Sequence, residues 1–272
     1  MTGWSAPFSL LLLFAVALAL AGCASESERE AARFNAAGVS GLPVNLFGRP
    51  EQGWAVYAPA VQQTLQTQAG PQSSRFAAAV ARWQTRRGLS PSGVLDAQTL
   101  GVMKADWQAR RPFVAVRAQG VCPDPPPEGD LASAAASETL GGKPVRLRPQ
   151  ALWAYRRMVA AARSDGVLAE DPSLLALFSG YRDPAADAAR CTAQANCQGL
   201  VRAACSAHRT GLALDLNLGA LPGDQVDSSA DANRLYQTRT PAYRWLVRNA
   251  ARYGFVNYVF EPWHWEWTGA AP

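Results

Sequence analysis

The chain reads as an α+β protein, with a small all-α domain ahead of a domain in which helices and short strands mix. Two kinds of pattern predict this. Apolar residues recur at helical spacing, as in Phe76, Val80 and Trp83, and again in Leu152, Tyr155, Met158, Val159 and Ala162. Elsewhere they alternate, as Leu212, Leu214, Leu216 and Leu218 do against Ala213, Asp215 and Asn217. No strand-helix rhythm repeats along the 272 residues, which disfavours a doubly wound sheet.

The first element is an export signal. Residues 7–22 form an apolar run that stops at Cys23. The run is short for a bilayer span, which needs roughly 20 residues, and suits a signal-peptide core. Leu20-Ala21-Gly22-Cys23 resembles a bacterial lipoprotein processing site, which implies a signal peptide over 1–22 and lipidation of Cys23. Residues 1–5 lack the usual Lys or Arg, and the competing readings are an uncleaved anchor helix or a plain secretory signal. Ala24 stands where inner-membrane retention signals often place Asp, so an outer-membrane destination is open in a two-membrane cell.

The formal net charge of +5 favours weak, salt-screened attraction to anionic wall polymers, whereas export argues against nucleic acid as a partner. A monomer is expected. Besides Cys23 there are Cys122, Cys191, Cys197 and Cys205. In an oxidising compartment an even number predicts two disulfides, with three connectivities open. A rival second metal site on Cys191, Cys197, Cys205 and His208 matches no common zinc spacing.

Residues 23–53, rich in Ala, Ser, Glu and Gly, are expected to form a tether. The helical domain follows over 54–112. After its first helix Gly88 is a stop, Ser90-Pro91-Ser92-Gly93 a turn, and Asp96 the N-cap of the next helix. Val80, Trp83-Gln84, Gly88-Leu89, Ser92-Gly93 and Thr99-Leu100 resemble the peptidoglycan-binding domain found beside wall hydrolases. Ser92 replaces the usual Asp of that family and Asp96 a common Gly. The last domain spans 113–272, of which 113–144 is an irregular connection. Expected within it are a helix over 147–163, a strand over 174–178, a strand over 212–218, a helix over 241–253, and strands over 256–260 and 263–267.

The chemistry gathers around two histidines, His208 and His264. His208 precedes the strand that carries Asp215, and His264 sits in Glu261-Pro-Trp-His264-Trp-Glu-Trp267. Two imidazoles with carboxylates at short spacing suit a metal, and three protein ligands (His208, Asp215, His264) leave a fourth position for water. Alternation would place Trp263, Trp265 and Trp267 on one strand face and His264 with Glu266 on the other. Glu261 is the candidate general base. Glu266 competes for that role, but reads better as a partner that orients a ligand. Arg182 follows Ser179-Gly180-Tyr181 and offers a guanidinium for a carboxylate or an oxyanion.

Ser-Gly-Tyr-Arg, then Ser-x-His-x-x-Gly-x-Ala-x-Asp, then Glu-x-Trp-His-x-x-Trp, in that order over about 145–268, resembles the VanY-type D-alanyl-D-alanine carboxypeptidases of the M15 metallopeptidase family. The resemblance implies a small α+β peptidase domain with a central antiparallel sheet and flanking helices. It implies Zn2+ on His208, Asp215 and His264, with Glu261 as general base and acid. Arg182 would steady the transition state or substrate, and Ser206 and Tyr181 would bind substrate. The substrate class is peptidoglycan stem peptides. Endopeptidase or D-Ala-D-Ala dipeptidase activity at the same zinc site, or an inactive wall-binding lipoprotein, are the alternatives. The Cys-bearing segment between Asp183 and Cys205 departs from the family pattern at the cleft rim.

Overall fold

The computed structural model describes residues 24–193, 195, 197 and 204–269. Cys23 and the signal segment over 1–22 lie outside these residues. The stretch expected as a tether is folded. Helix α1 (Glu26–Gly41) starts in a capping box in which the Ser25 hydroxyl and the Glu28 carboxylate each accept from the other's backbone N–H. Its buried Ala31 and Ala32 meet Ala77. Buried Asn35 donates to the Gly93 carbonyl at 2.8 Å and accepts from Leu95 N–H at 2.7 Å. Composition misled here, because the Ala-rich content of a linker also makes a helix flat enough to pack closely. Strands β1 (Pro43–Leu46) and β2 (Arg49–Gln52) then form a hairpin. Its two turn residues, Phe47 and Gly48, both take positive φ, 56° and 75°, as the tightest hairpin turns require.

Helices α2 (Ala58–Leu65), α3 (Ser74–Arg86) and α4 (Ala97–Ala109) complete the N-terminal unit, and α5 (Pro112–Arg117) leads out of it. Ser73 caps α3 and Asp96 caps α4. Phe76, Val80, Trp83, Gln84, Thr99 and Leu100 are all buried. Gln84 spans the turn, accepting from Gly93 N–H and donating to Val94 O and Thr99 Oγ1. Most residues that carry the peptidoglycan-binding resemblance therefore build the core.

Beyond α5 a short pair, β3 (Ala132–Ser133) with β4 (Arg146–Leu147), precedes α6 (Pro149–Ser164), β5 (Leu177–Ser179), α7 (Pro184–Ala193) and β6 (Ala213–Leu216). Helices α8 (Asp231–Arg239) and α9 (Pro241–Asn249) lead to β7 (Phe255–Asn257) and β8 (His264–Trp267). The antiparallel sheet runs β5-β6-β8-β7. Leu214, Leu216 and Trp265 pack one sheet face onto Leu152, Tyr155, Met158, Tyr243 and Leu246 of the helices. The class is α+β.

Strand β7 is shorter than its apolar run suggests. Tyr258, Val259 and Phe260 leave the sheet and enter the core of the N-terminal unit beside Phe47, Trp54 and Tyr57. Burying such side chains stabilises by roughly 1.5–3 kcal/mol each, which outweighs a few more ladder bonds. A buried cation completes the join. Arg234 donates to Phe260 O at 2.8 Å, Glu51 Oε1 at 2.9 Å and Tyr57 Oη at 2.7 Å. The N-terminal unit and the sheet domain thus share a core.

Candidate metal and peptidase site

The site is assembled by sheet register. Asp215 on β6 lies directly opposite His264 on β8, so their side chains rise from the same face. Two residues further, Ala213 opposes Glu266 on that face. His208 arrives from the 3-10 turn Ala207–Thr210, just ahead of β6. Gly180 makes room at the end of β5, where an added Cβ would lie 2.5 Å from the Arg146 carbonyl oxygen. That approach lets the Gly180 carbonyl accept from His208 Nδ1 at 2.7 Å. The backbone around Glu261 is pinned, with Glu261 N–H on Tyr258 O at 2.7 Å and His264 N–H on Glu261 O at 2.9 Å.

Asp215 uses both oxygens. Oδ1 faces His264 Nδ1 at 2.9 Å and Oδ2 faces His208 Nε2 at 3.2 Å. One donor atom from each of His208, Asp215 and His264 falls within 4.8 Å of the others, and all three residues are buried. With its other nitrogen on Gly180 O, His208 aims Nε2 at this point. His264 aims Nδ1 there, while its buried Nε2 makes no hydrogen bond among the described residues and lies 3.4 Å from Glu266 Oε1 as an ion-pair approach. Two imidazoles and one carboxylate, with His208 hydrogen-bonded to a carbonyl and His264 beside a carboxylate, form a donor set that fits a zinc-like ion.

Charge is distributed unevenly over the cluster. Burial, helped by the Arg182 cation, lowers His208 to about 4, so its ring is neutral at pH 7. Burial alone would lower His264 too, but Asp215 and Glu266 outweigh it and hold it at about 9. Asp215 likewise resists the upward push of burial, and the two histidines keep it well below the usual carboxylate range. Glu266 is held at about 2 by Arg111 against the same push. Glu261 goes the other way, raised to about 7 by burial with the Asp215 charge adding to it.

A divalent ion must displace the proton on His264 Nδ1, since that ring is cationic below about 9, whereas His208 is neutral above about 4 and keeps its one proton on Nδ1, turned to Gly180 O. Metal affinity should therefore rise with pH between those limits, by roughly tenfold per unit. About one proton, plus a fraction from Glu261, should leave per ion at pH 7. Calorimetry in buffers of different ionisation enthalpy counts it. Affinity flat with pH would contradict this charge distribution.

The cluster lies in a cleft of about 140 Å³ whose walls include Arg182, Ser206, Tyr258, Glu261 and Trp263. Glu261 Oε2 lies 4.0 Å from His264 Nδ1, beside the donor triangle and outside it. Arg182 Nη1 lies 3.5 Å from Asp187, and its buried Nε finds no partner among the described residues. Ser206 Oγ donates to Asp187, 2.7 Å from Oδ2. Asp187 is a residue that sequence reasoning missed, since nothing near it in Asp183-Pro-Ala-Ala-Asp187 marks it as more than a helix carboxylate. Tyr181 is predicted at the substrate but does not line the cleft. It sits beneath the Arg146 guanidinium, 5.5 Å from its ring centre, because neighbouring residues of an extended segment point to opposite sides.

Disulfides join Cys122 to Cys205 and Cys191 to Cys197. The first ties the connection after α5 to the residue preceding Ser206. Both consume the thiols that the rival Cys/His metal site would need, and His208 turns to Asp215 instead.

The family model for VanY, D-alanyl-D-alanine carboxypeptidase, matches residues 144–270. Those residues are a VanY domain. No curated protein matches the chain. The VanY domain contains His208, Asp215 and His264, which could hold a metal, together with Glu261, Arg182 and Ser206, whereas Arg111 and Phe113, which also line the cleft, precede it.

Proposed function

We propose that the chain is a zinc-dependent D-alanyl-D-alanine carboxypeptidase, exported and held at a membrane through lipid on Cys23, that releases the terminal D-Ala of peptidoglycan stem peptides. The observation that carries this reading is the placing of Glu261 and Arg182 in one cleft with the His208–Asp215–His264 donor triangle. Bound zinc would polarise the scissile carbonyl and bring the pKa of water towards ~7.

The remaining work falls to side chains. Glu261, poised near neutrality by burial, takes a proton from the attacking water and returns it to the departing D-Ala nitrogen. Peptide and water thus become a shortened carboxylate and a free amino acid. Arg182, braced by Asp187 and with Nε to spare, is placed for the substrate carboxylate or the developing oxyanion. Asp187 also holds Ser206 at the cleft wall. The N-terminal unit is proposed to help keep the enzyme on the wall.

Product analysis on a pentapeptide ending in D-Ala-D-Ala, with and without a zinc chelator, tests the reading. Free D-Ala that disappears on chelation and returns with zinc is the expected result. An intact pentapeptide beside chelator-sensitive opening of cross-linked wall would overturn the carboxypeptidase assignment and make the site an endopeptidase.

A further inference from the structure

One charged group in the cleft wall, Arg111, comes from outside the VanY domain. Arg111 ends the N-terminal unit, 155 residues before Glu266, and is buried against it. Its Nε donates to Glu266 Oε1 at 2.7 Å and its Nη2 lies 2.6 Å from the same oxygen. Phe113 N–H, at the start of α5, donates to Oε2 at 3.1 Å. Both carboxylate oxygens are therefore held by the N-terminal segment. Arg111 is itself locked, with Nη1 on Gln108 Oε1 at 3.1 Å and its guanidinium carbon 3.9 Å from the centre of the Tyr258 ring.

Glu266 in turn stands 3.4 Å from the buried Nε2 of His264, a charge contact without a formed hydrogen bond, and Nε2 has no hydrogen-bond partner among the described residues. An imidazole that ligates through one nitrogen is aimed by whatever its other nitrogen meets. For His208 that partner is a backbone carbonyl of the VanY domain itself. For His264 it is a carboxylate whose place is set from outside the domain. The geometry points to Arg111 as a positioning residue of the metal site: it holds Glu266 so that Glu266 holds the His264 ring with Nδ1 towards Asp215. The N-terminal unit is then a structural part of the peptidase centre, and residues 144–270 alone would carry a poorly aimed ligand.

The inference rests on the metal reading, so its test measures metal. Zinc dissociation constants of the intact protein, by chelator competition, would be compared for wild type, Arg111→Met, Arg111→Lys, Glu266→Gln and the Arg111→Met/Glu266→Gln double variant. Arg111→Met and Glu266→Gln should each weaken zinc by ~10–100-fold, the range typical of lost outer partners. Lys, which lacks the two-nitrogen grip, should fall between. The double variant should be no weaker than the worse single one, since both break one chain of contacts. The visible spectrum of the cobalt-loaded protein should shift in Arg111→Met, a change that a merely structural ion pair would not produce.

Arg49→Ala is the control. It removes a different contact across the join, the 2.8 Å pair of Arg49 with Asp231, and should leave zinc affinity unchanged. If Arg111→Met does not fold, Arg111→Lys and Glu266→Gln carry the test. Wild-type affinity and an unchanged cobalt spectrum in the folded variants would overturn the proposal and leave the zinc reading intact. Failure of the wild type to bind zinc would sink both.

Discussion

Glu261→Gln is expected to lower kcat for D-Ala release by ~10²–10⁴-fold, the range for loss of a positioned general base, with zinc affinity nearly unchanged. The division follows from where Glu261 stands. Its carboxylate is 4.0 Å from His264 Nδ1 but is not one of the three clustered donors, so it can serve the water without being needed to hold the ion. The amide keeps the shape and loses the proton acceptor. As the proposed base, the same residue is expected to set the acid limb of the rate profile. Burial raises it to about 7, and only its ionised form accepts a proton, so activity rises with pH through that limb. A bound dication would draw the limb below about 7, because positive charge favours the carboxylate. Steady-state D-Ala release across pH 5–9, beside a zinc titration of the variant, reads both effects. More than about a tenth of wild-type kcat in Glu261→Gln would remove it from the role of base.

Arg182→Ala is expected to cost ~10²–10³-fold in kcat/KM, the scale found when a preorganised donor to developing charge is lost. The geometry of Arg182 suits this proposed task. Asp187, almost wholly buried, anchors one end of the guanidinium at 3.5 Å, while Nε stays buried and unpaired among the described residues. Such a donor is costly to leave idle, and a substrate oxygen would satisfy it. A loss mainly in kcat would place the contact at the transition state, and a loss mainly in KM would place it at the substrate carboxylate. Either result keeps Arg182 in the site. Its removal is also expected to raise His208, whose depressed pKa owes its second-largest contribution to that cation. A nearly unaffected kcat/KM would mean that Arg182 only braces Asp187 and Ser206.

Much of this was legible in the residues themselves, and the reason is local. Alternation already separates Trp265 and Trp267 from His264 and Glu266, because a strand has a period of two whatever it pairs with, although Trp263, just before the strand, also reaches the cleft wall. Helical spacing likewise marks the buried faces of α3 and α6, and the N-cap at Asp96 follows from side-chain chemistry within one turn. With only two histidines in the chain the imidazoles could be chosen by residue type, whereas Asp215 was chosen by its place on the strand after His208 and by the family resemblance.

What only the tertiary structure decided depends on partners distant in sequence. The register that sets Asp215 opposite His264, and the choice of one disulfide pairing among three, are properties of chain segments meeting. The folding of 26–52 depends on Ala31 and Ala32 finding Ala77, which no window around α1 contains. Tyr181 faces away from the cleft and meets the Arg146 guanidinium of β4, a neighbour 35 residues earlier in the chain. Arg111 meets Glu266 across 155 residues, and in sequence it is one arginine among many. Local periodicity and residue chemistry determined the elements and the reactive set, whereas burial, paid for by contacts between remote segments, decided which charges face one another.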